Sequence, residues 1–193
     1  MNKEFLDRLF IKARSHNSWK QKDVDEQILR DLYDLVKNCP TSANSEPMRI
    51  VFLKSRKSKD RAKPFLNEGN IEKTMAASIV AIIAYDTKFY EHLPKLFPHN
   101  LGMKEILSKP AEKAHTTAFR NSTLQGGYFM LAARALGLDV GPMSGFDNNG
   151  LDKEFFPDGR FKSNFLCSLG YGDGLKLLQR LPRFKFSEVC KII

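Results

Sequence analysis

The chain has 193 residues, enough to bury one sizeable core, and its 42% hydrophobic and 27% charged residues exclude a disordered segment. Its formal charge of +9 is scattered, and the densest basic run, residues 54–63, alternates with serine and aspartate. That pattern favours solvated lysines and a phosphorylated ligand over nucleic acid. The longest apolar stretch, Ile79–Tyr85, is far below the roughly 20 residues of a membrane span, so no membrane partner is expected.

Residues 3–12 place Phe5, Leu6, Leu9 and Phe10 on one helical face. Residues 25–38 repeat the pattern through Ile28, Leu29, Leu32, Leu35 and Val36, with Asp23 or Asp25 as the N-cap. Pro40 ends that helix. Residues 49–53 read as a strand, and residues 78–85 as a strand buried on both faces. Residues 111–136 form one long helix closed by Gly137. Gly126 and Gly127 cost that helix roughly 1 kcal/mol each relative to alanine, which points to close approach of a backbone or a flat ring. Residues 164–169 give a third strand. Without regular βαβ spacing, repeats or linkers, the expectation is one α+β domain over residues 1–193. The charged start, MNKEFLDRLF, is not a secretory signal, so a cytoplasmic location is expected.

Cys39, Cys167 and Cys190 are odd in number and widely spaced, and the four histidines lack ligand spacing. Neither a disulfide framework nor a metal site is expected. Gly170-Tyr171-Gly172-Asp173-Gly174 imitates the start of a dinucleotide fingerprint, but Leu175 replaces the third glycine and too little chain follows. A turn at a strand end is the better reading.

Four segments are chemically richer than a core requires. Arg14-Ser15-His16-Asn17-Ser18-Trp19 offers phosphate donors beside a helix end. Pro40-Thr41-Ser42-Ala43-Asn44-Ser45-Glu46-Pro47 is a stiff loop rich in donors. Asn70 and Lys73 share a helix face, an amide and a cation suited to a ring that gains negative charge. Gly137 to Asp147 holds three glycines and Pro142, which lets backbone N–H groups approach a planar ligand. Each also has a plain reading as a turn, cap or solvated face.

In order and spacing these segments resemble the FMN-dependent nitroreductase superfamily over nearly the whole chain. PTSANSEP, the Asn70–Lys73 pair, GPMSGFD and Arg180-Leu181-Pro182 carry the resemblance. ARSHNSW, LFPH, TAFRNS, LGLDVGPMSGFD and LGYGD are similar to the malonic semialdehyde reductase branch. The resemblance implies a mostly antiparallel central sheet flanked by helices. It implies an intertwined homodimer with FMN at the interface and the C-terminal segment reaching over the partner. It implies NADH or NADPH as reductant, ping-pong hydride transfer through flavin N5, and a small-molecule acceptor. That acceptor is malonic semialdehyde, reduced to 3-hydroxypropionate, or more generally a nitroaromatic or quinone.

Carried over by residue, Arg14, Ser15 and Arg180 match phosphate-binding positions. Thr41, Ser42 and Asn44 match the loop that meets flavin from the neighbouring subunit. Asn70 and Lys73 match pyrimidine-edge contacts, and Pro142, Met143, Ser144 and Gly145 match the segment beside N5. Asn17 stands where many members carry a basic residue, Leu178 occupies a position that is often lysine, with Lys176 nearby to compensate, and Ser144 replaces a common glutamate. No residue is expected to react covalently. The proton donor for carbonyl reduction is not identified, and Tyr90, His92 and His99 lie in a variable stretch, residues 87–110, that reads as a lid. A nicotinamide-only dehydrogenase would need the missing fingerprint. A non-catalytic basic module would bind nucleic acid in a salt-sensitive way and hold no chromophore.

Overall fold

The computed structural model describes residues 3–193. Four strands, β1 (Met48–Leu53), β2 (Ile79–Asp86), β3 (Asp139–Met143) and β4 (Phe161–Gly170), form one antiparallel sheet in the order β1-β2-β4-β3. The helices are α1 (Lys3–Leu6), continued by a π-turn over Asp7–Ile11, then α2 (Glu26–Val36), α3 (Arg56–Ala62), α4 (Glu68–Ala76), α5 (Leu93–Leu96), α6 (Met103–Ser108), α7 (Ala111–Ala135), α8 (Asn148–Phe155) and α9 (Phe186–Val189). The α+β expectation, with a mostly antiparallel sheet flanked by helices, holds.

Strand β2 explains the two-faced core. Ile79, Ala81 and Ile83 join Leu29, Leu32 and Val36 of α2 and Phe129, Ala132 and Ala133 of α7. The alternate residues, Val80, Ile82 and Ala84, join Ala62 of α3, Leu151 of α8, and Leu66, Phe146 and Trp19. A strand with helices on both faces must be apolar at every position, and every residue of β2 is buried. Its last residue, Asp86, is the polar exception.

Helix α2 starts where Asp25 accepts a hydrogen bond from the Gln27 backbone N–H at 2.7 Å. It stops at Val36, well before Pro40, and Leu35 stays exposed. Gly137 adopts φ +92°, the left-handed conformation that closes α7. Gly126 bears out the expected close approach, because a Cβ there would lie 2.6 Å from the Phe165 ring. Gly127 does not, since a Cβ there would meet no atom within 4 Å. Of the apolar helical face formed by Phe5, Leu6, Leu9 and Phe10, only Leu9 is buried within this chain.

Strand β3 went unread in the sequence, because its five residues, DVGPM, contain a glycine and a proline. Proline is tolerated there because β3 is an edge strand. The lid-like stretch is two short helices anchored by Phe89, Leu93 and Leu107 against Tyr85.

Candidate functional site

The outer edge of β3 organises the first half of the site. Ser15 pairs with Val140 in a parallel bridge, and the His16 N–H donates to the Val140 carbonyl at 2.9 Å. Trp19 pairs with Gly172, and the Asp173 N–H donates to the Ser18 carbonyl at 3.0 Å. The segment after α1 is thus laced to the chain leaving β4. This is a structural outcome for the Gly170–Gly174 run: Gly170 ends β4, Gly172 bridges to Trp19, and Gly174 opens a short 3-10 helix over Gly174–Lys176.

Asp139 fastens both segments. One carboxylate oxygen lies 3.4 Å from His16 Nε2 and the other accepts the Gly172 N–H at 2.8 Å. A Cβ on Gly172 would strike the buried His16 imidazole, so no side chain fits there. Gly172→Ala is expected to cost about 2 kcal/mol through overpacking and to loosen the adjoining cleft. Urea denaturation checks the cost, and His16→Ala in the same chain should recover part of it.

Beside this lacing lies a cleft of about 490 Å³ lined by Arg14, Ser15 and Asn17 on one side and Lys176 through Arg180 on the other. Arg134 and Arg183 join them with the apolar Leu9, Phe10, Ala13 and Leu181, so among the described residues five cationic side chains and no carboxylate line it. The guanidinium groups are held by backbone carbonyls. Arg14 donates to Leu178, Arg180 to Ile11 at 2.7 Å and Ala13 at 3.1 Å, and Arg134 to Leu9 at 3.2 Å. Burial lowers the Arg134 pKa from its ordinary value. Positive charge fixed by neutral carbonyls remains available to an anion, and guanidinium groups suit phosphate geometry.

Further along the same edge, β3 runs out at Met143. Met143 is buried and accepts the Thr74 hydroxyl at 3.3 Å, while Pro142 and Ser144 are exposed. The Asn70 side-chain N–H donates to the Gly145 carbonyl at 2.7 Å, and the Asn67 N–H reaches the same carbonyl at 3.1 Å. A Cβ on Gly145 would lie 2.6 Å from Asn70 Nδ2, so glycine is what lets α4 approach this turn. Lys73 is half-buried on α4, and the Trp19 indole N–H anchors its carbonyl at 2.9 Å. Burial lowers its ammonium pKa from the ordinary 10.5, with no carboxylate partner among the described residues.

Thr41, Ser42 and Asn44 lie elsewhere. Their loop enters β1, the opposite edge of the sheet, at least three strand spacings or roughly 14 Å away. It holds Ala43, Asn44 and Glu46 at φ of 52°, 48° and 38°. The Asn44 side chain donates to the Leu96 carbonyl at 2.9 Å, and the Glu46 N–H donates to the Thr41 hydroxyl at 3.2 Å. One chain therefore unites Arg14, Ser15, Asn17 and Arg180 in a cleft, and Asn70 and Lys73 with Pro142, Met143, Ser144 and Gly145 beside it. It keeps the third group apart. Arg134 and Arg183 were not singled out: Arg134 sits inside the long α7 pattern, and Arg183 follows the Arg180-Leu181-Pro182 segment without belonging to it. Among the proton-donor candidates, His92 packs against Asp86 and Arg160, and His99 against Phe97.

An antiparallel sheet with helices on both faces thus carries along one edge a cationic cleft of the kind that suits a phosphorylated ligand. The chain belongs to the nitroreductase family, whose model matches residues 12–171. It is 51% identical over 191 residues to a protein of Cupriavidus pinatubonensis, covering 98% of this chain and 97% of that one. It is 52% identical over 188 residues to one of Rhodopseudomonas palustris, covering 97% and 95%. Both are provisionally named NADH dehydrogenase/NAD(P)H nitroreductase. Among solved structures, a provisionally named nitroreductase of Bacillus subtilis superposes with TM-score 0.87 at 19% identity, covering 97% of this chain and 98% of that chain. Another, from Exiguobacterium sibiricum and in complex with FMN, superposes with TM-score 0.86 at 19% identity, covering 98% and 97%. These two likenesses establish the fold.

Proposed function

We propose that the protein is an FMN-dependent NAD(P)H oxidoreductase that works as a homodimer, with residues 1–193 as its one FMN-binding domain. The observation that carries this reading is the cationic, carboxylate-free cleft running along the same sheet edge as Asn70, Lys73 and Pro142–Gly145. FMN has a phosphate at one end and a flat ring with a polar edge at the other, and the residues fit both. Arg14, Ser15 and Arg180 supply phosphate donors, with Asn17 beside them. Asn70 keeps Oδ1 as an acceptor while its N–H grips Gly145. Lys73 contributes positive charge beside the ring. Pro142, Met143, Ser144 and Gly145 present backbone along its reactive margin.

When bound, FMN supplies the hydride chemistry. The protein binds and orients it, excludes water and biases its charge. With FMN held there, NADH or NADPH and the acceptor would bind in turn, and initial-rate lines would then run parallel. The homodimer reading draws on the opposite placement of Thr41, Ser42 and Asn44, which a second copy would bring to the cleft. It also draws on uncovered apolar side chains: Leu124 and Tyr128 on α7, and Leu178, Leu181, Phe184, Phe186 and Ile192 in the C-terminal segment. Patches of this kind mark association surfaces.

For the acceptor, the names of the relatives favour a nitroaromatic compound, as in a general nitroaromatic or quinone reductase. The TAFRNS, LFPH and LGYGD stretches favour malonic semialdehyde. Turnover of malonic semialdehyde no faster than of a nitroaromatic would remove the narrower reading. The visible absorption spectrum tests the whole. After soaking in FMN and desalting, about one flavin per chain should remain and bleach with NAD(P)H under anaerobic conditions. A colourless protein overturns the proposal. Arg14→Ala should weaken FMN binding roughly ten- to a hundredfold, the worth of one hydrogen bond to a charged group. Full FMN retention by that variant would remove Arg14 from the phosphate site.

A further inference from the structure

Two amide side chains are buried in the middle of α7 where the core would favour apolar ones. Asn121 is 4% exposed and Gln125 is 3% exposed. They lie four residues apart, so they share one face of the helix. Buried amides are costly unless bonded, and both are bonded to the same loop. Asn121 Oδ1 accepts the Ser42 N–H at 2.8 Å, and Gln125 Oε1 accepts the Met48 N–H at 3.0 Å. Asn121 is itself oriented by donating Nδ2 to the Thr117 carbonyl at 2.8 Å.

Ser42 and Met48 are the two ends of the segment that holds Ala43, Asn44 and Glu46 in the left-handed region. Asparagine tolerates that region, whereas alanine and glutamate do so only when their surroundings impose it. From the β1 side, Arg49 donates to the Glu46 carbonyl at 2.9 Å. The loop is therefore clamped at both ends by helix side chains and once in the middle.

We infer that Asn121 and Gln125 are positioning residues that impose the ligand-binding conformation on residues 42–48. The inference rests on the proposed function for what the loop binds, and on the geometry alone for the clamp. The amides themselves touch no ligand. Their work is to hold Thr41, Ser42 and Asn44 ready for the cofactor of the partner subunit. The same helix presents Leu124 and Tyr128 on an exposed face, so α7 links the association surface to the loop.

Two measurements test this on the full chain. In FMN-free protein, hydrogen exchange at the Ser42 amide should quicken roughly tenfold in Asn121→Ala, as expected for an amide that loses its bond. Asn121→Asp keeps an acceptor oxygen and should restore most of the protection. With FMN titrated in and followed by flavin fluorescence, Asn121→Ala should bind roughly tenfold more weakly, with an altered visible circular dichroism of the bound flavin. Unchanged exchange at Ser42 overturns the clamp. Changed exchange with wild-type affinity and dichroism overturns its role in the site. If the wild type takes up no FMN, the proposed function falls while the exchange experiment still decides the clamp. Should Asn121→Ala fail to fold, Ser42→Pro compared with Ser42→Ala carries the test, because only the first deletes the donated N–H. Equal exchange at the neighbouring Ala43 amide in those two overturns the inference.

Discussion

In the proposed reductase, Lys73→Met is expected to slow reduction by NAD(P)H by roughly a hundredfold, the usual consequence of losing one group aimed at developing charge. Three features converge on this size of effect. Burial disfavours the Lys73 ammonium, lowering its pKa from the ordinary 10.5. No carboxylate among the described residues repays that cost, so the free chain gains nothing from the charge. The backbone at this position is fixed independently, because Trp19 holds the Lys73 carbonyl at 2.9 Å. Methionine keeps the length and packing and removes the charge. FMN-free stability should therefore be unchanged or slightly higher, while stopped-flow bleaching of the flavin slows. A variant that bleaches at the wild-type rate would show that the Lys73 charge plays no part in the reaction. Arg14→Ala, by contrast, should alter flavin retention more than the bleaching rate of molecules that are loaded. The two substitutions separate holding the cofactor from tuning it.

What the sequence revealed follows from which interactions are local. The apolar spacing of α2, the Asp25 cap and the unbroken run of β2 are written in neighbouring residues, and each appears in the fold. Strand β3 is not, because residues 139–143 become a strand only by pairing with β4, while Gly141 and Pro142 argue locally for a turn. Gly141 has its own long-range reason, since a Cβ there would strike the His16 carbonyl. The N-terminal apolar face was read correctly as a pattern but not as burial, because Phe5 and Phe10 find no second layer in a single chain. Site residues sort in the same way. Arg14 and Ser15, or Asn70 and Lys73, stand close enough in sequence to suggest a ligand. Arg134 and Arg183 reach the cleft from α7 and from the C-terminal segment, and only the lacing of residues 14–19 onto residues 172–180 brings them there. Asn121 and Gln125 read as ordinary polar positions of a helix until the loop they clamp is seen against them.

Asp86→Ala is expected to destabilise the protein by roughly 3 kcal/mol, the lower end of the cost of breaking a buried ion pair. Asp86 is wholly buried at the end of β2 and is met by Arg49 at 2.9 Å, by two nitrogens of Arg160 at 3.0 Å and by the Lys88 N–H at 2.9 Å. Removing it takes the carboxylate from two guanidinium groups that keep some water contact and a further partner each, Glu91 for Arg160 and the Glu46 carbonyl for Arg49, and these set the lower figure. The lost bonds also lie where elements meet: Arg49 grips the loop at Glu46, and Arg160 pairs with Glu91 at 3.1 Å just before α5. The pH dependence follows from the same geometry. Burial works to raise the Asp86 pKa, but the bonds from Arg160 and Lys88 and the charges of Arg49 and Arg160 outweigh it. The pKa therefore lies below the ordinary 3.8. An acid with a depressed folded-state pKa stabilises fully above its unfolded value and loses that contribution as pH falls through the folded one. Wild type should thus lose this part of its stability only below about pH 3.8, and the gap between wild type and Asp86→Ala should narrow only there. Urea denaturation at a series of pH values reads both. A gap that is absent at neutral pH, or that closes well above the carboxylate range, would mean that the two arginines are satisfied without Asp86.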